Sequence, residues 1–214
     1  MAVPDGEDLL ALLDALGVAN AVLVGLSLGA RTSLDFTLTH PGRVDGLVLA
    51  GPGMSGMTIT DPFIRAEATR TMAALKAGDL PGFVDGFLRQ WVDGPRRAPS
   101  EVDAGIRERC REMAMRTAVA HRRGDAEWIE AGAADRLGEL RVPLVALLGD
   151  LDSVDIERVV DALAATVPGA RKVPVPGAGH TVNLEQPAVF NRELLGKLSP
   201  RRPSRSACRS GSGP

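Results

Sequence analysis

Short runs in which nearly every residue is apolar alternate along this chain with longer stretches in which apolar residues recur every three or four positions. Residues 8–16 place leucines at 9, 10, 12, 13 and 16, a helical stripe that Gly17 ends. Residues 21–26 predict a short strand, apolar on both faces and so suited to a sheet interior rather than to an edge in water. From Ser27 to Thr39 the helical pattern resumes, with Leu28, Leu34 and Leu38 as buried positions, and His40-Pro41-Gly42 stops it. Residues 44–50 predict a second apolar strand, closed by Gly51-Pro52-Gly53. The connection between the two strands is long enough for a right-handed parallel crossover, so a parallel sheet in an α/β fold is expected.

After Met54 the strand pattern stops. Segments near 61–77, 79–92, 100–121 and 124–132 predict helices, divided by Gly78, the Asp93-Gly94-Pro95 turn and Gly124, with no strand among them. This insertion is expected to form a cap over the C-terminal edge of the sheet. The α/β pattern returns with a strand at 142–148, a helix at 155–166, a strand at 171–175 and a final helix at 185–198. The expected organisation is a core in two pieces, 1–54 and 136–199, a helical cap at 55–135 and a tail at 200–214.

Composition narrows the class. The chain has 214 residues, 44% hydrophobic and 24% charged, ordinary for a folded domain. No run approaches the roughly 20 apolar residues that span a bilayer, and the acidic start lacks the basic and apolar regions of a signal peptide. No membrane partner and a cytoplasmic location are therefore expected. Cys110 and Cys208 form neither a disulfide framework nor a metal pattern. Arg201, Arg202, Arg205 and Arg209 fall in a Ser-, Gly- and Pro-rich tail that is expected to be disordered. The formal charge is −2, and without those four arginines the body is more acidic still, which argues against a nucleic-acid partner.

The chemistry gathers where strands end. Gly25-Leu26-Ser27-Leu28-Gly29 is G-x-S-x-G between a strand and a helix, a turn that projects a serine hydroxyl above a sheet. With 24 glycines in the chain the letters alone are weak, and it is the strand before and the helix after that give them meaning. A Cβ at either 25 or 29 is expected to crowd the approach of strand and helix. The N–H of Leu28, at the helix start, is the candidate oxyanion donor. A serine needs a base. His40 sits roughly 20 Å along the helix from Ser27 and is excluded, and His121, among Arg116, Arg122 and Arg123, fits a solvated helix end. His180 follows a glycine-rich loop after a strand, where it can stand over the sheet as general base. Of the two acids in Gly149-Asp150-Leu151-Asp152, Asp152 has the reach to orient His180, while Asp150 suits a turn cap and Asp155 the cap of the next helix. Cys110 lies among Arg107, Arg109 and Arg111, which favour a thiolate, but a helix-interior thiol without a histidine is a poor nucleophile. Nucleotide and zinc motifs have no match here, and no cofactor or metal is called for.

Together these pieces resemble the α/β-hydrolase superfamily, and in particular bacterial proteins of the 3-oxoadipate enol-lactonase, esterase and cofactor-free haloperoxidase type. The resemblance rests on residues 8–18, Val24 to Gly29, His40-Pro41 with the strand to Gly53, Gly149 to Asp152, and Gly177-Ala178-Gly179-His180 with Glu185-Gln186-Pro187. It implies a Ser27–Asp152–His180 triad acting on a small-molecule ester or lactone. The serine at the elbow argues against epoxide hydrolases and haloalkane dehalogenases, which are similar but use aspartate there. Family members similar to this chain carry further strands before the elbow strand and a loop that supplies a second oxyanion donor. Nothing ahead of Gly25 resembles that loop. The expectation is an N-terminally truncated chain with early strands missing and about four strands retained, its elbow strand open to self-association along an exposed edge. One lost donor is worth about 3 to 4 kcal/mol in the transition state, so the alternative expectation is an inactive or partner-dependent fragment. Met54, Met57, Phe63, Phe83, Phe87, Trp91 and Trp128 are the apolar candidates for a substrate pocket in the cap, and they suit core packing between the cap helices at least as well.

Overall fold

The computed structural model describes residues 3–4, 6–120 and 128–198. The expectations for His121, Gly124, Cys208, the Trp128 side chain and the tail from 200 onward lie outside the described residues.

The elements are β1 (Val3–Pro4), α1 (Glu7–Ala15), β2 (Ala21–Leu26), α2 (Leu28–Thr39), β3 (Val44–Ala50), α3 (Pro62–Lys76), α4 (Leu80–Phe87), α5 (Ala104–Ala120), β4 (Trp128–Ile129), α6 (Ala133–Arg136), β5 (Leu144–Gly149), α7 (Val154–Thr166), β6 (Arg171–Val175), α8 (Val182–Glu185) and α9 (Pro187–Leu198). Four strands form a parallel sheet in the order β2-β3-β5-β6, and β1 pairs with β4 over two residues.

Strand periodicity builds the core. Leu47 and Leu49 of β3 and Leu144, Ala146 and Leu148 of β5 turn to one face, where they meet Leu34 and Phe36 of α2 and Ile156, Val159 and Leu163 of α7. The alternate residues Val48, Ala50, Val145 and Leu147 turn to the other face, against Val189, Phe190 and Leu194 of α9. A strand buried on both faces reads as continuous apolar sequence, which is why the expected strands at 44–50 and 142–148 match β3 and, within two residues, β5.

β2 lies at the sheet edge, as the resemblance implied and its apolar pattern alone did not, and Val24 is 45% exposed. Three corrections follow. Leu12 and Leu16 of the α1 stripe face solvent, and only Leu13 is buried there. Residues 128–129 are a strand rather than helix, because their backbone is taken up by pairing with β1. The last helix is split into α8 and α9 around Gln186, since Pro187 has no N–H to continue the first segment.

The helices inserted between β3 and β5 are started by side-chain caps. The Asp61 carboxylate accepts from Phe63 and Ile64 N–H, and Asp79 accepts from Gly82 N–H. They hold a small core of their own, Val84, Leu88, Val92, Val102 and Cys110. Between α4 and Gly94 the chain makes a π-helical turn, Leu88–Asp93, a wide turn found frequently at functional sites.

Candidate active site

The turn from β2 to α2 puts Ser27 at φ 53°, ψ −110°, the only positive-φ residue other than glycine among the described residues. Such a backbone typically costs about 1 to 3 kcal/mol and persists only where its surroundings hold it. They do so here: Ser27 N–H donates to Ala50 O, and the Ser27 carbonyl accepts from Ala30, Arg31 and Gly53 N–H. A Cβ on Gly25 would lie 2.4 Å from Gly29 O and 2.5 Å from Ala30 N, so glycine is required there. Among the described residues nothing lies within 4 Å of a notional Cβ on Gly29, which overturns the expectation that both glycines are tight. Leu28 is 48% exposed rather than buried, because its side chain lines a cavity. Its N–H belongs to the first turn of α2, where helix amides have no intrahelical acceptor.

Asp152 and His180 arrive from the other side. Beyond β5, Ser153 N–H donates to Asp152 Oδ1 at 2.7 Å, and Asp152 Oδ2 lies 2.9 Å from His180 Nδ1. Both side chains are buried. The pairing fixes Nδ1–H as donor to the carboxylate and leaves Nε2, which is buried without a hydrogen-bond partner among the described residues. Gly51, at φ +46°, passes so close to the ring that a Cβ would sit 3.0 Å from Nδ1, and Trp91 packs on the ring at 4.8 Å between centroids. Asp150 caps a turn as expected, accepting from Gly177 N–H at 2.8 Å. Asp155 does not cap α7; Ser153 does. The Asp155 carboxylate instead reaches back to Thr60 N–H and Oγ and to Asp61 N–H, pinning the start of α3 beside the Asp152 loop.

Ser27, Leu28 and His180 open on one cavity of about 1100 Å³. Phe83, Phe87 and Trp91 line it as expected. Met54 and Met57 do not, because they pack in the sheet core, and Phe63 lies beneath the Arg89 guanidinium at 4.8 Å. The residues that sequence reasoning missed are on α5, where Arg109, Cys110, Met113, Ala114, Thr117 and Ala118 form one stripe along the cavity. Burial, reinforced by the Glu185 charge, pushes the Cys110 thiol above its ordinary range against the opposing pull of Arg109. Arg107 is occupied by Asp93 and Arg111 by Asp85, so the expected drive toward a thiolate is outweighed. His40 stacks on Phe36 and lies 3.8 Å from Glu7 at the far end of α2, as its exclusion required.

Also unforeseen is the grip on the His180 loop. Glu185 accepts from Gly179 N–H at 3.1 Å and from Thr181 Oγ at 2.7 Å, the two residues flanking His180, and is paired with Arg97 at 2.5 Å. Burial alone would push the Glu185 carboxyl up; the hydrogen bonds from Arg97, Thr181 and Gly179 outweigh it and hold the group below the usual carboxylate range. The only signal for this pair in the sequence was the Glu185-Gln186-Pro187 element after His180.

This combination, a strained serine on a strand-to-helix turn with an acid and a histidine on later strand ends of a parallel sheet, defines a class. The alpha/beta hydrolase fold model matches residues 5–187, and the chain belongs to that family of enzymes. A putative 2-succinyl-6-hydroxy-2,4-cyclohexadiene-1-carboxylate synthase of Bacillus subtilis is 26% identical over 196 residues, covering 87% of this chain and 68% of that protein. A hydrolase from Pseudomonas aeruginosa of known structure is 29% identical with a TM-score of 0.66, over 91% of this chain and 71% of its own. A protein described as an N-acyl homoserine lactone degrading enzyme is 25% identical with a TM-score of 0.63, over 89% of this chain and 72% of its own. Among the described residues no helix is long and apolar enough to cross a membrane.

Proposed function

We propose that the protein is a serine hydrolase that cleaves a carboxylic ester or lactone, with Ser27 as nucleophile, His180 as general base and Asp152 as its orienting acid. The observation that carries this is the convergence on one cavity of a strained serine and a buried imidazole whose Nδ1 is engaged by Asp152 and whose Nε2 has no partner among the described residues. Ser27 Oγ attacks the carbonyl while His180 Nε2 takes its proton. The Leu28 N–H helps hold the oxyanion, and the alcohol leaves with the proton from His180. Water then loses a proton to His180 and attacks the acyl-serine, and the acid departs as Ser27 recovers its proton. In a lactone the leaving alcohol stays tethered to the product. Relatives named as hydrolase and lactone-degrading enzyme support the same chemistry.

Hydrolysis of p-nitrophenyl acetate and butyrate by the purified chain, with Ser27→Ala and His180→Ala beside it, tests the reading. Loss of turnover by at least a thousandfold in both variants is expected. Turnover that survives Ser27→Ala would remove Ser27 from the mechanism. A second reading, a chain active only when β2 is covered by a partner, is favoured by the edge position of β2; it predicts turnover per chain that rises with protein concentration.

A further inference from the structure

The cap is tied to the base loop by buried charge. Arg107 of α5 makes two hydrogen bonds to the Asp93 carboxylate, at 2.9 and 3.2 Å, and Asp93 is fully buried. The carbonyls of Asp93 and Val92 accept from Arg97 Nε and Nη2, which leaves Nη1 aimed at Glu185. The Arg97 and Glu185 side chains are 6% and 7% exposed, far less than a surface ion pair. Glu185 in turn holds the main chain at Gly179 and the hydroxyl of Thr181, on either side of His180. A Cβ on Gly179 would fall 2.6 Å from Arg97 Nη2, so the guanidinium lies directly against the base loop.

We propose that Arg97 and Glu185 are positioning residues for His180, a clamp that fixes the imidazole against Asp152 and makes the base responsive to where the cap sits. This rests on the role of His180 given above. Asp152 holds only Nδ1, one point on a ring that also has to keep Nε2 toward Ser27. The second constraint comes from the backbone on both sides of residue 180, and Glu185 supplies it. The carboxylate is itself held from the cap, by the Nη1 of a planar guanidinium whose Nε and Nη2 are anchored on the Asp93 and Val92 carbonyls, an arrangement that a lysine does not reproduce. Displacing the cap therefore releases the loop that carries the base, whereas a rigid core alone would not couple the two.

The test uses Arg97→Met, Arg97→Lys, Glu185→Gln and the double variant Arg97→Met/Glu185→Met in the full chain. Two readouts are compared, kcat and KM on p-nitrophenyl butyrate and the proton resonance of His180 Nδ1–H. Arg97→Met is expected to lower kcat by about 10- to 100-fold with KM changed less than threefold, a loss of the size seen when a supporting partner is removed. The Nδ1–H resonance should broaden or move upfield as the bond to Asp152 loosens. Arg97→Lys should recover part of kcat. The double variant leaves no unpaired buried charge, so thermal stability should return while kcat stays low. A merely structural pair would behave otherwise, with kcat recovering alongside stability. That result, or an unchanged His180 resonance in folded Arg97→Met, would overturn the proposal. The resonance needs no turnover, so a wild-type protein that hydrolyses no ester would count against the proposed function and leave the clamp to be decided by the spectrum.

Discussion

The two glycines of Gly25-Leu26-Ser27-Leu28-Gly29 are equivalent as letters and opposite as physical positions. At Gly25 a methyl group would be 2.4 Å from Gly29 O and 2.5 Å from Ala30 N, with Gly29 C at 2.5 Å. All three are backbone atoms, so no side-chain rotation relieves the overlap. To reach even a tight 3.0 Å separation, α2 and β2 must part by about 0.6 Å in a core that is packed like a crystal. Overpacking typically costs about 1 to 3 kcal/mol, and a contact with backbone on every side belongs at or above the upper figure. Gly25→Ala is therefore expected to lose about 3 kcal/mol or more, a large part of the roughly 5 to 15 kcal/mol that a domain has. It should also displace Ser27, two residues on. At Gly29 the space is open and φ is not positive, so Gly29→Ala should be neutral or gain up to about 1 kcal/mol from the helix preference of alanine. Urea unfolding of both variants and the wild type, monitored by tryptophan fluorescence with m held in common, reads the difference. Equal midpoints for Gly25→Ala and wild type would refute the steric argument, and so would a large loss in Gly29→Ala.

Three further outcomes are expected. The Asp155 carboxylate, which burial would push up, is held below the ordinary aspartate range by hydrogen bonds from Thr60 Oγ and the Asp61 and Thr60 amides and by the Arg158 charge. A depressed folded-state pKa contributes stability that is present at neutral pH and is lost as pH falls below about 4. Asp155→Asn should be less stable than wild type by about 2 to 3 kcal/mol near pH 7, with the gap closing in unfolding curves taken at pH 3.5; a gap that stays constant would contradict the linkage. Arg109 is the one charged side chain lining the cavity among the described residues, so an ester carrying a distal carboxylate should be preferred over its neutral analogue. Arg109→Met should raise KM for mono-p-nitrophenyl adipate about three- to fivefold, as an exposed ion pair allows, and leave p-nitrophenyl hexanoate unchanged; equal effects on both would dismiss the charge. Finally, the β6 edge carries Arg171, Lys172 and Pro174, whereas the β2 edge has neither charge nor proline. Sedimentation velocity should show association that rises with concentration and that Val24→Lys reduces; a wild-type monomer at all concentrations would exclude it.

What could be read from the sequence followed the range of each signal. The strand at 44–50, the serine turn and the acid and histidine at later strand ends were legible because each is a local pattern of apolar run, glycine and polar residue. The pairing of 3–4 with 128–129 was not, since two-residue strands have no periodicity to detect. Asp155 resembled a helix cap by position, and only its contacts with Thr60 and Asp61, more than ninety residues away in the chain, reveal a tie between the Asp152 loop and α3. A separation of 88 residues hid Arg97 and Glu185, which are ordinary charged residues until the fold buries them together beside His180. The cavity wall could not be separated from the core in the sequence, because methionines at 54 and 57 suit one as well as the other. The polar ends of the α5 stripe, Arg109 and Thr117, carried no mark of facing inward.

The account turns on whether Ser27 is activated by His180 across the shared cavity. Incubation of the chain with a fluorophosphonate, followed by mass spectrometry of its peptides, measures this without knowledge of the natural substrate. The expected result is a single adduct on Ser27, absent from Ser27→Ala and formed at least a hundredfold more slowly in His180→Ala. A folded protein that remains unlabelled, or an adduct that forms equally well without His180, would contradict it.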